Sequence, residues 1–328
     1  MTLRFERQPA GAAGFSAFPT ATVLAERGHF DDGRAAGAPR LLAGEPACAE
    51  RWLSEAPTTA RAEGRTGHVS WHDDGRWLHG SARIEVGGGA RLREDTRALY
   101  ADLFEVLRPR GDLHLLKVWN YLPHINAELD GLEVYRHFNI GRQQAFLDAG
   151  QRAFEGAPAA CALGHHEGPL SVHFLAGREA PRPVENPRQV SAYHYPSSYG
   201  PRSPTFSRAA LVSLAPGEET LFISGTASIV GHHTLHAGDV GAQTAETLRN
   251  LEAVIASAHA RTPARFDLRT MDLTVYLRDP ADRAVVEAVL ADSLGADASG
   301  LGGALWLHAD ICRTDLLVEI EAQGSAPR

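Results

Sequence analysis

The chain has 328 residues, more than a typical single domain, so we expect two domains. Its hydrophobic content of 44% and charged content of 22% are ordinary for a globular protein, and its net charge of -8 excludes a broadly basic nucleic-acid-binding surface. We find neither an apolar run long enough to span a membrane nor the apolar core of a signal peptide. The three cysteines are far apart and form no CxxC pair, which predicts a cytoplasmic protein without disulfides.

The first half of the chain alternates strand and helix signals. Residues 1–110 predict short strands and loops that end in a helix near Glu94–Leu107. The apolar run Leu113–Trp119 predicts a buried strand, and the spacing of apolar residues over Asn139–Phe154 predicts a helix. A strand pair at Ala160–Gly164 and Leu170–Ala176 follows.

The second half predicts an antiparallel or mixed sheet with two helices on one face. Ala209–Leu214 and Thr220–Ser224 form a hairpin around a Pro-Gly-Glu-Glu turn, and Gly238–Ala258 is a helix with Asp239 near its N-terminus. The remaining predicted elements are a strand at Leu268–Arg278, a helix at Ala281–Leu290, and strands at Ala304–Arg313 and Asp315–Ala322. We therefore predict a mixed α+β fold divided into domains 1–185 and 186–328.

Tyrosines and arginines are concentrated between Ser191 and Val230, among prolines and glycines. Tyr193, Tyr195 and Tyr199 precede Arg202 and Arg208 there. A guanidinium matches a carboxylate in shape, and a tyrosine offers a flat apolar wall with a polar tip. This composition favours a pocket for a small, flat, anionic molecule, although any single arginine could equally be a solvated surface residue.

The histidines give no metal signal. His232, His233 and His236 follow a glycine, do not fit a helix, and lack the glutamate of an HExxH motif. We predict that His165 and His166 lie at the surface in a turn. Trp119 and Asn120 are predicted to be structural and to end a core strand.

Five long motifs extend over about two thirds of the chain: Val118–Asn126, Glu133–Phe146, Val184–Ala209, Phe222–Asp239 and Ala309–Glu321. Together they resemble the chorismatases, and the last hundred residues or so resemble the YjgF/RidA-like superfamily. The YjgF/RidA-like resemblance implies RidA-like or chorismate-mutase-like units and a small-molecule site near Arg313 and Glu319. The chorismatase resemblance implies that chorismate is split into pyruvate and a six-membered-ring product without cofactor or metal.

Two positions in this resemblance distinguish the products. The branch that hydrolyses chorismate to a dihydroxycyclohexadiene carboxylate carries alanine at both, whereas the 3-hydroxybenzoate branch carries glycine and cysteine. This sequence has Gly225 and Cys312, which favours 3-hydroxybenzoate. Hydrolysis and a mixture of 3- and 4-hydroxybenzoate stay open, as do an imine-hydrolysing deaminase and a non-catalytic RidA-like binding protein.

Breaking the enolpyruvyl ether without a metal requires an acid that protonates its terminal CH2 carbon. A glutamate on a desolvated strand can hold a proton near neutral pH. Two-residue periodicity puts Glu319 and Glu321 on one face of the last strand, so the pattern alone does not separate them. The family resemblance selects Glu319.

The remaining predicted site residues bind the substrate. The candidates for holding its two carboxylates are Arg142, Arg202, Arg208 and Arg313. Tyr195 and Tyr199 either contact the ring or bind a carboxylate, and we expect one of them to be a buried core tyrosine. Cys312 is predicted to be a small residue of the pocket wall and not a nucleophile. We expect a monomer with its cleft at the domain junction.

Overall fold

The structure, a computed structural model, describes residues 2–9, 22–29, 37–57 and 60–328. The strands in chain order are β1 (Leu3–Pro9), β2 (Thr22–His29), β3 (Arg40–Leu41), β4 (Cys48–Ser54), β5 (Ala62–Thr66), β6 (Val69–Asp73), β7 (Trp77–Ile84), β8 (His114–Pro123), β9 (Glu128–Leu129), β10 (Leu132–Glu133), β11 (Ala159–His165), β12 (Leu170–Gly177), β13 (Arg182–Val184), β14 (Ala209–Val212), β15 (Glu218–Ala227), β16 (Ile229–Val230), β17 (His233–Thr234), β18 (Asp272–Leu277), β19 (Leu305–His308) and β20 (Val318–Pro327). The α-helices are α1 (Gly89–Leu107), α2 (Val134–Asp148), α3 (Val240–His259), α4 (Arg283–Leu294) and α5 (Ser299–Gly302).

A six-stranded sheet carries α1 and α2 on one face. Its strand order is β11-β8-β12-β7-β6-β5, and its apolar side chains pack with those of the two helices, which also contact each other. β8 lies between β11 and β12, parallel to the first and antiparallel to the second. The prediction that β11 and β12 pair directly is therefore wrong. The long apolar strand β8 is buried along almost its whole length and takes the position between them.

A seven-stranded sheet carries α3 and α4 on its outer face. Its order is β13-β14-β15-β20-β18-β19-β3, and its core with the helices includes Leu251, Val254 and Val275. A separate apolar cluster, with Trp119 of β8 and Phe222 of β15, fills the space between the two large sheets and a three-stranded sheet, β1-β4-β2. Mixed sheets with helices on one face confirm the predicted α+β class.

Short strands from the predicted first domain, 1–185, join the seven-stranded sheet. β3 pairs with β19, and β13 pairs with β14. Both lie ahead of the predicted boundary at residue 185, so the two sheets do not draw their strands from separate halves of the chain. The division into domains 1–185 and 186–328 stays a prediction.

Several local predictions need correction. α2 begins at Val134, before the predicted Asn139, and ends before Gly150, whose φ of 65° is left-handed and stops the helix. β8 continues to Pro123, so Trp119 and Asn120 lie inside the strand. The buried amide of Asn120 donates to the carbonyl of Cys161, which satisfies it in the core.

Two further predictions concern the surface and the termini of helices. His165 is buried at the end of β11 and is not a surface residue, whereas His166 is exposed. Asp239 caps α3 as expected, because its side chain accepts a hydrogen bond from the Ala242 amide at 2.9 Å. Within the described ranges, no helix is both long and apolar enough to cross a membrane.

Candidate active site

A cavity of about 290 Å³ is lined by residues from both halves of the chain. The start of α2, the segment before β14, the bulged part of β15, the loop before β20 and β20 itself all contribute to its wall. The lining residues are Glu133, Tyr135, Arg136, Tyr195, Tyr199, Pro204, Phe206, Arg208, Gly225, Ala227, Ile229, Cys312, Arg313, Thr314, Asp315 and Glu319. Six of the predicted site residues meet at this cavity, in addition to Glu319.

Glu319 is a buried carboxyl group in the cavity wall. Its position on β20 leaves it 4% exposed, and its side chain has no hydrogen-bond partner among the described residues. Burial raises its pKa to about 8, the negative charge of Glu321 adds to the rise, and Lys117 and Arg208 oppose it. The group therefore holds its proton at neutral pH, where an ordinary glutamate is ionised.

Glu321, two residues further along β20, has the opposite surroundings. Its Oε2 lies 2.5 Å from the Lys117 ammonium, and its Oε1 accepts a hydrogen bond from the Tyr276 hydroxyl at 2.7 Å. Burial alone would raise its pKa, but the Lys117 charge and these hydrogen bonds hold the pKa below its usual value. The two glutamates therefore differ in charge although they lie on one strand.

Lys117 was not among the predicted site residues. It is 2% exposed on β8 and also donates to the carbonyl of Ile223 at 3.1 Å. A lysine in the middle of an apolar strand signals a buried charge that needs a partner. That signal was available in the sequence, but the identity of the partner was not.

Arg208 and Arg313 present guanidinium groups to the cavity. Arg208 is 5% exposed and donates from one terminal nitrogen to the Val190 carbonyl and the Tyr195 hydroxyl, both at 2.8 Å. Arg313 donates to the His232 carbonyl at 2.9 Å, while its second terminal nitrogen is buried without a partner among the described residues. Both groups are held in place and keep donors free for an anion.

Tyr195 and Tyr199 form the aromatic wall of the cavity. Their ring centroids are 5.5 Å apart, and the Arg313 guanidinium lies 4.1 Å from the centre of the Tyr199 ring. Both are only partly buried, so neither is the core tyrosine we expected. Tyr193, which is buried, takes that place.

Arg142 and Arg202 do not line the cavity. Arg142 is buried on α2, where it bonds Asn139 and lies against the Phe138 ring. Arg136, which does line the cavity, is six residues earlier, and at 100° per residue the two project from different sides of the helix. Arg202 is exposed, in a turn between prolines.

Gly225 and Cys312 both line the cavity beside Glu319. A Cβ atom built on Gly225 would lie 1.9 Å from Oε1 of Glu319, so the observed position of that carboxyl requires glycine. The register of β15 against β20 shifts between Ile223 and Thr226, at this glycine. Burial raises the pKa of Cys312 to about 12, so its thiol stays protonated and is a poor nucleophile.

Sequence reasoning missed three residues at the start of α2: Glu133, Tyr135 and Arg136. All three lie in the quoted motif Glu133–Phe146, from which we selected only Arg142. Arg136 lies 3.4 Å from Glu133, and burial raises the pKa of that glutamate. A helical projection separates Arg136 from Arg142, whereas Tyr135, seven residues before Arg142, projects to nearly the same side. Only the tertiary fold shows which of these residues line the cavity.

The histidine segment lies beside the mouth of the cavity. The rings of His232 and His233 are 3.9 Å apart, and His232 contacts Tyr199 edge-on. Across the described ranges, no three histidine, cysteine, aspartate or glutamate side chains are arranged to hold a metal ion. Cys48, Cys161 and Cys312 are all free thiols.

Comparisons with known proteins identify the family. The family model described as chorismatase FkbO/Hyg5-like, N-terminal, matches residues 50–176. A protein named chorismatase from Streptomyces rapamycinicus is 40% identical over 90% of this chain and 89% of its own length. A 3-hydroxybenzoate synthase from Streptomyces hygroscopicus is 35% identical over 83% of this chain and 80% of its own.

A solved chorismatase structure superposes with a TM-score of 0.82. The alignment covers 98% of each chain at 34% sequence identity. That solved chorismatase therefore shares the overall fold described above. This chain belongs to the chorismatase family.

Proposed function

We propose that this protein converts chorismate into 3-hydroxybenzoate and pyruvate, with Glu319 as the acid. The observation that carries this proposal is a buried carboxyl group that keeps its proton and faces a cavity with arginines and tyrosines in its wall. The names of the relatives, chorismatase and 3-hydroxybenzoate synthase, support the same substrate class.

In the proposed first step, Glu319 gives its proton to the terminal CH2 carbon of the enolpyruvyl group. The carbon becomes a methyl group, and positive charge develops on the ether carbon and oxygen. The bond between that oxygen and the ring is thereby weakened, so that its electron pair can go to the oxygen and pyruvate can leave when this bond is displaced. A glutamate near its pKa at working pH is suited to this transfer.

In the second step, the neighbouring ring hydroxyl displaces the leaving oxygen and gives up its proton. Its original bond to the ring then opens and leaves positive charge on the carbon it came from. The neighbouring carbon, which now carries the oxygen, loses its hydrogen as a proton, and the transferred oxygen takes up a proton. The ring becomes aromatic. Chorismate minus pyruvate has the composition of hydroxybenzoate, so the sequence balances without an oxidant.

Two guanidinium groups are available for the two carboxylates of the substrate. Arg208 and Arg313 both lie near Tyr195, with their guanidinium carbons 5.6 Å and 5.3 Å from its ring centre. Their donors without protein partners supply charge-assisted hydrogen bonds, and the tyrosine rings supply a flat surface for the substrate ring. Held in this way, the CH2 carbon can be presented to Glu319.

Gly225 and Cys312 support the aromatic product over hydrolysis. Without a Cβ atom at residue 225, the Glu319 carboxyl can occupy space that an alanine would fill. The carboxyl then takes room that a hydrolytic water would need. The resemblance to the 3-hydroxybenzoate branch at these two positions points the same way.

The test is incubation of the purified protein with chorismate, followed by chromatography and a pyruvate assay. We expect 3-hydroxybenzoate and pyruvate in equal amounts. Glu319→Gln keeps the shape of the side chain but has no acidic proton, so we expect turnover to fall by at least 100-fold, within the range for loss of an acid catalyst. Glu252→Gln, at an exposed position on α3, is the matched control and should turn over normally.

Two results would contradict the proposal. A dihydroxycyclohexadiene carboxylate as main product would assign the protein to the hydrolytic branch. Full activity of a folded Glu319→Gln variant, with circular dichroism like the wild type, would remove Glu319 from the mechanism.

A further inference from the structure

Two buried carboxyl groups lie side by side on β20, and they differ in their ionic and hydrogen-bonding partners. Glu319 and Glu321 are 4% and 6% exposed. Residues two apart on a strand project to one face, about 6.5 Å apart along the backbone. Two carboxylates so close in a dry site do not both ionise readily, so their partners decide which one carries the charge.

The ion pair and the hydrogen bonds of this pair of glutamates are all made by Glu321. The Lys117 ammonium lies 2.5 Å from Oε2, the Tyr276 hydroxyl donates to Oε1 at 2.7 Å, and the Cys161 thiol is a further hydrogen-bond donor. The Glu319 side chain has no hydrogen-bond partner in the described part of the chain. A buried carboxylate is stable only when paired and hydrogen-bonded, so the charge belongs on Glu321.

Several other titratable groups lie near Glu319, and not all of them are charged. Cys161, Cys312 and Tyr135 are neutral, because burial raises the pKa of each. Glu133, Arg136, Arg313 and Asp315 also line the cavity, but the charges that shift the pKa of Glu319 are the negative Glu321 and the positive Lys117 and Arg208. Glu321 favours a proton on Glu319, and the two cations oppose it.

We propose that Glu321, held ionised by Lys117, is a positioning residue that keeps the proton on Glu319 until the substrate takes it. This inference rests on the proposed role of Glu319 as the acid. Without the Glu321 charge, Lys117 and Arg208 would act unopposed and draw the proton off Glu319 at lower pH. Lys117 thus fixes which of two chemically identical side chains is the acid.

The first test is the pH profile of kcat/KM for chorismate between pH 5 and 10. We expect wild-type activity to fall as pH rises through about 8, because the acid form of Glu319 is lost. In Glu321→Gln the fall should begin at least one pH unit lower, with about a fivefold or greater loss at pH 8 and a much smaller loss at pH 5.5. Glu252→Gln is again the matched control and should leave the profile unmoved.

A second variant covers the case in which Glu321→Gln does not fold with Lys117 left unpaired. Lys117→Met/Glu321→Gln removes both charges, and its profile should fall between those of the wild type and the single variant. An equal loss of activity at every pH, or a double variant whose activity persists to the same pH as the wild type or higher, would overturn the proposal.

A measurement without substrate separates this inference from the proposed function. The pKa of Glu319 is higher in the folded state than in the unfolded chain, so the wild type loses stability as pH rises from about 4.5 to about 8. Glu319→Gln lacks this loss. The loss of stability in the Glu321→Gln protein is measured in the same way, by comparison with a variant that carries Glu319→Gln in addition. We expect this loss of stability to end at a lower pH than in the wild type. If Glu321→Gln does not fold, Lys117→Met/Glu321→Gln takes its place. An unchanged pH range overturns the inference even if chorismate is not the substrate.

Discussion

At the scale of single residues, the protonation of Glu319 depends on its burial. Desolvation is the largest cause of its raised pKa, and a pKa unit corresponds to about 1.4 kcal/mol. The same burial costs folding stability at neutral pH, because the folded state resists ionisation of this carboxyl and the unfolded chain does not. A buried glutamate that stays protonated at neutral pH therefore lowers the stability of the folded protein.

Gly225 determines where the Glu319 carboxyl can lie. In Gly225→Ala, the new methyl group would overlap Oε1 at 1.9 Å, so the glutamate side chain must rotate away. We expect the yield of 3-hydroxybenzoate to fall by at least tenfold, with any remaining turnover shifted towards the dihydroxycyclohexadiene carboxylate. Chromatography of the products measures both quantities.

Gly302→Ala is the matched control for this substitution. A Cβ atom there meets nothing within 4 Å, and the residue lies at the surface in α5. Its product pattern should equal that of the wild type. An unchanged pattern in Gly225→Ala would show that the carboxyl position does not direct the product.

At the scale of elements, the site depends on where strands and helices begin and end. The cavity-lining side chains of α2 belong to its first turn, and the loop that carries Cys312 and Arg313 connects β19 to β20. On the outer face of the same sheet, α3 packs over β15 and β20. Support for these strands therefore comes from a helix outside the cavity.

The N-terminus of α3 offers a test of that support. Asp239→Ala removes the hydrogen bond to the Ala242 amide, and loss of such a cap costs about 1 kcal/mol. We expect the urea unfolding midpoint to drop accordingly without a change in the product. Asp239→Asn keeps an acceptor oxygen and should retain most of the stability. Equal loss in both variants would assign the effect to charge at the helix end and not to the cap.

At the scale of the whole molecule, the cavity exists because two sheets with outward-facing helices meet across a shared apolar cluster. Its wall combines the start of α2 from the first half with β15 and β20 from the second. A ligand bound there contacts both halves of the chain. It should therefore stabilise the native state as a unit, by about 2.7 kcal/mol at a concentration 100 times its Kd.

Thermal unfolding with 3-hydroxybenzoate tests this arrangement. We expect the product to raise the Tm of the wild type, and Arg313→Ala to abolish most of the rise because a guanidinium with a free donor is lost from the cavity. Arg202→Ala is the matched control, since Arg202 is exposed and outside the cavity. A similar Tm rise in all three proteins would place the binding site elsewhere.

Much of the site was predictable because the type of a residue and its neighbours in sequence indicate which chemistry it can support. The apolar residues of the predicted strand Asp315–Ala322 were compatible with a buried glutamate, and the tyrosines and arginines before β14 indicated an anionic ligand. Strand and helix periodicities were also local, which is why the α+β class and most elements agree with the structure. Errors occurred at the ends of elements, where a single residue such as Gly150 determines where a helix ends.

The sequence by itself determined that tyrosines and arginines were available for an anion site, and that its last strand could bury an acid. Only the tertiary structure decided which arginines face the cavity, since Arg208 points inward while Arg202, in the same block, is exposed. It also decided which glutamate is neutral, because Lys117 comes from β8, about 200 residues away in sequence, on a sheet that sequence periodicity cannot position. Side-chain charge depends on neighbours in space, and those neighbours are brought together only when the two sheets pack.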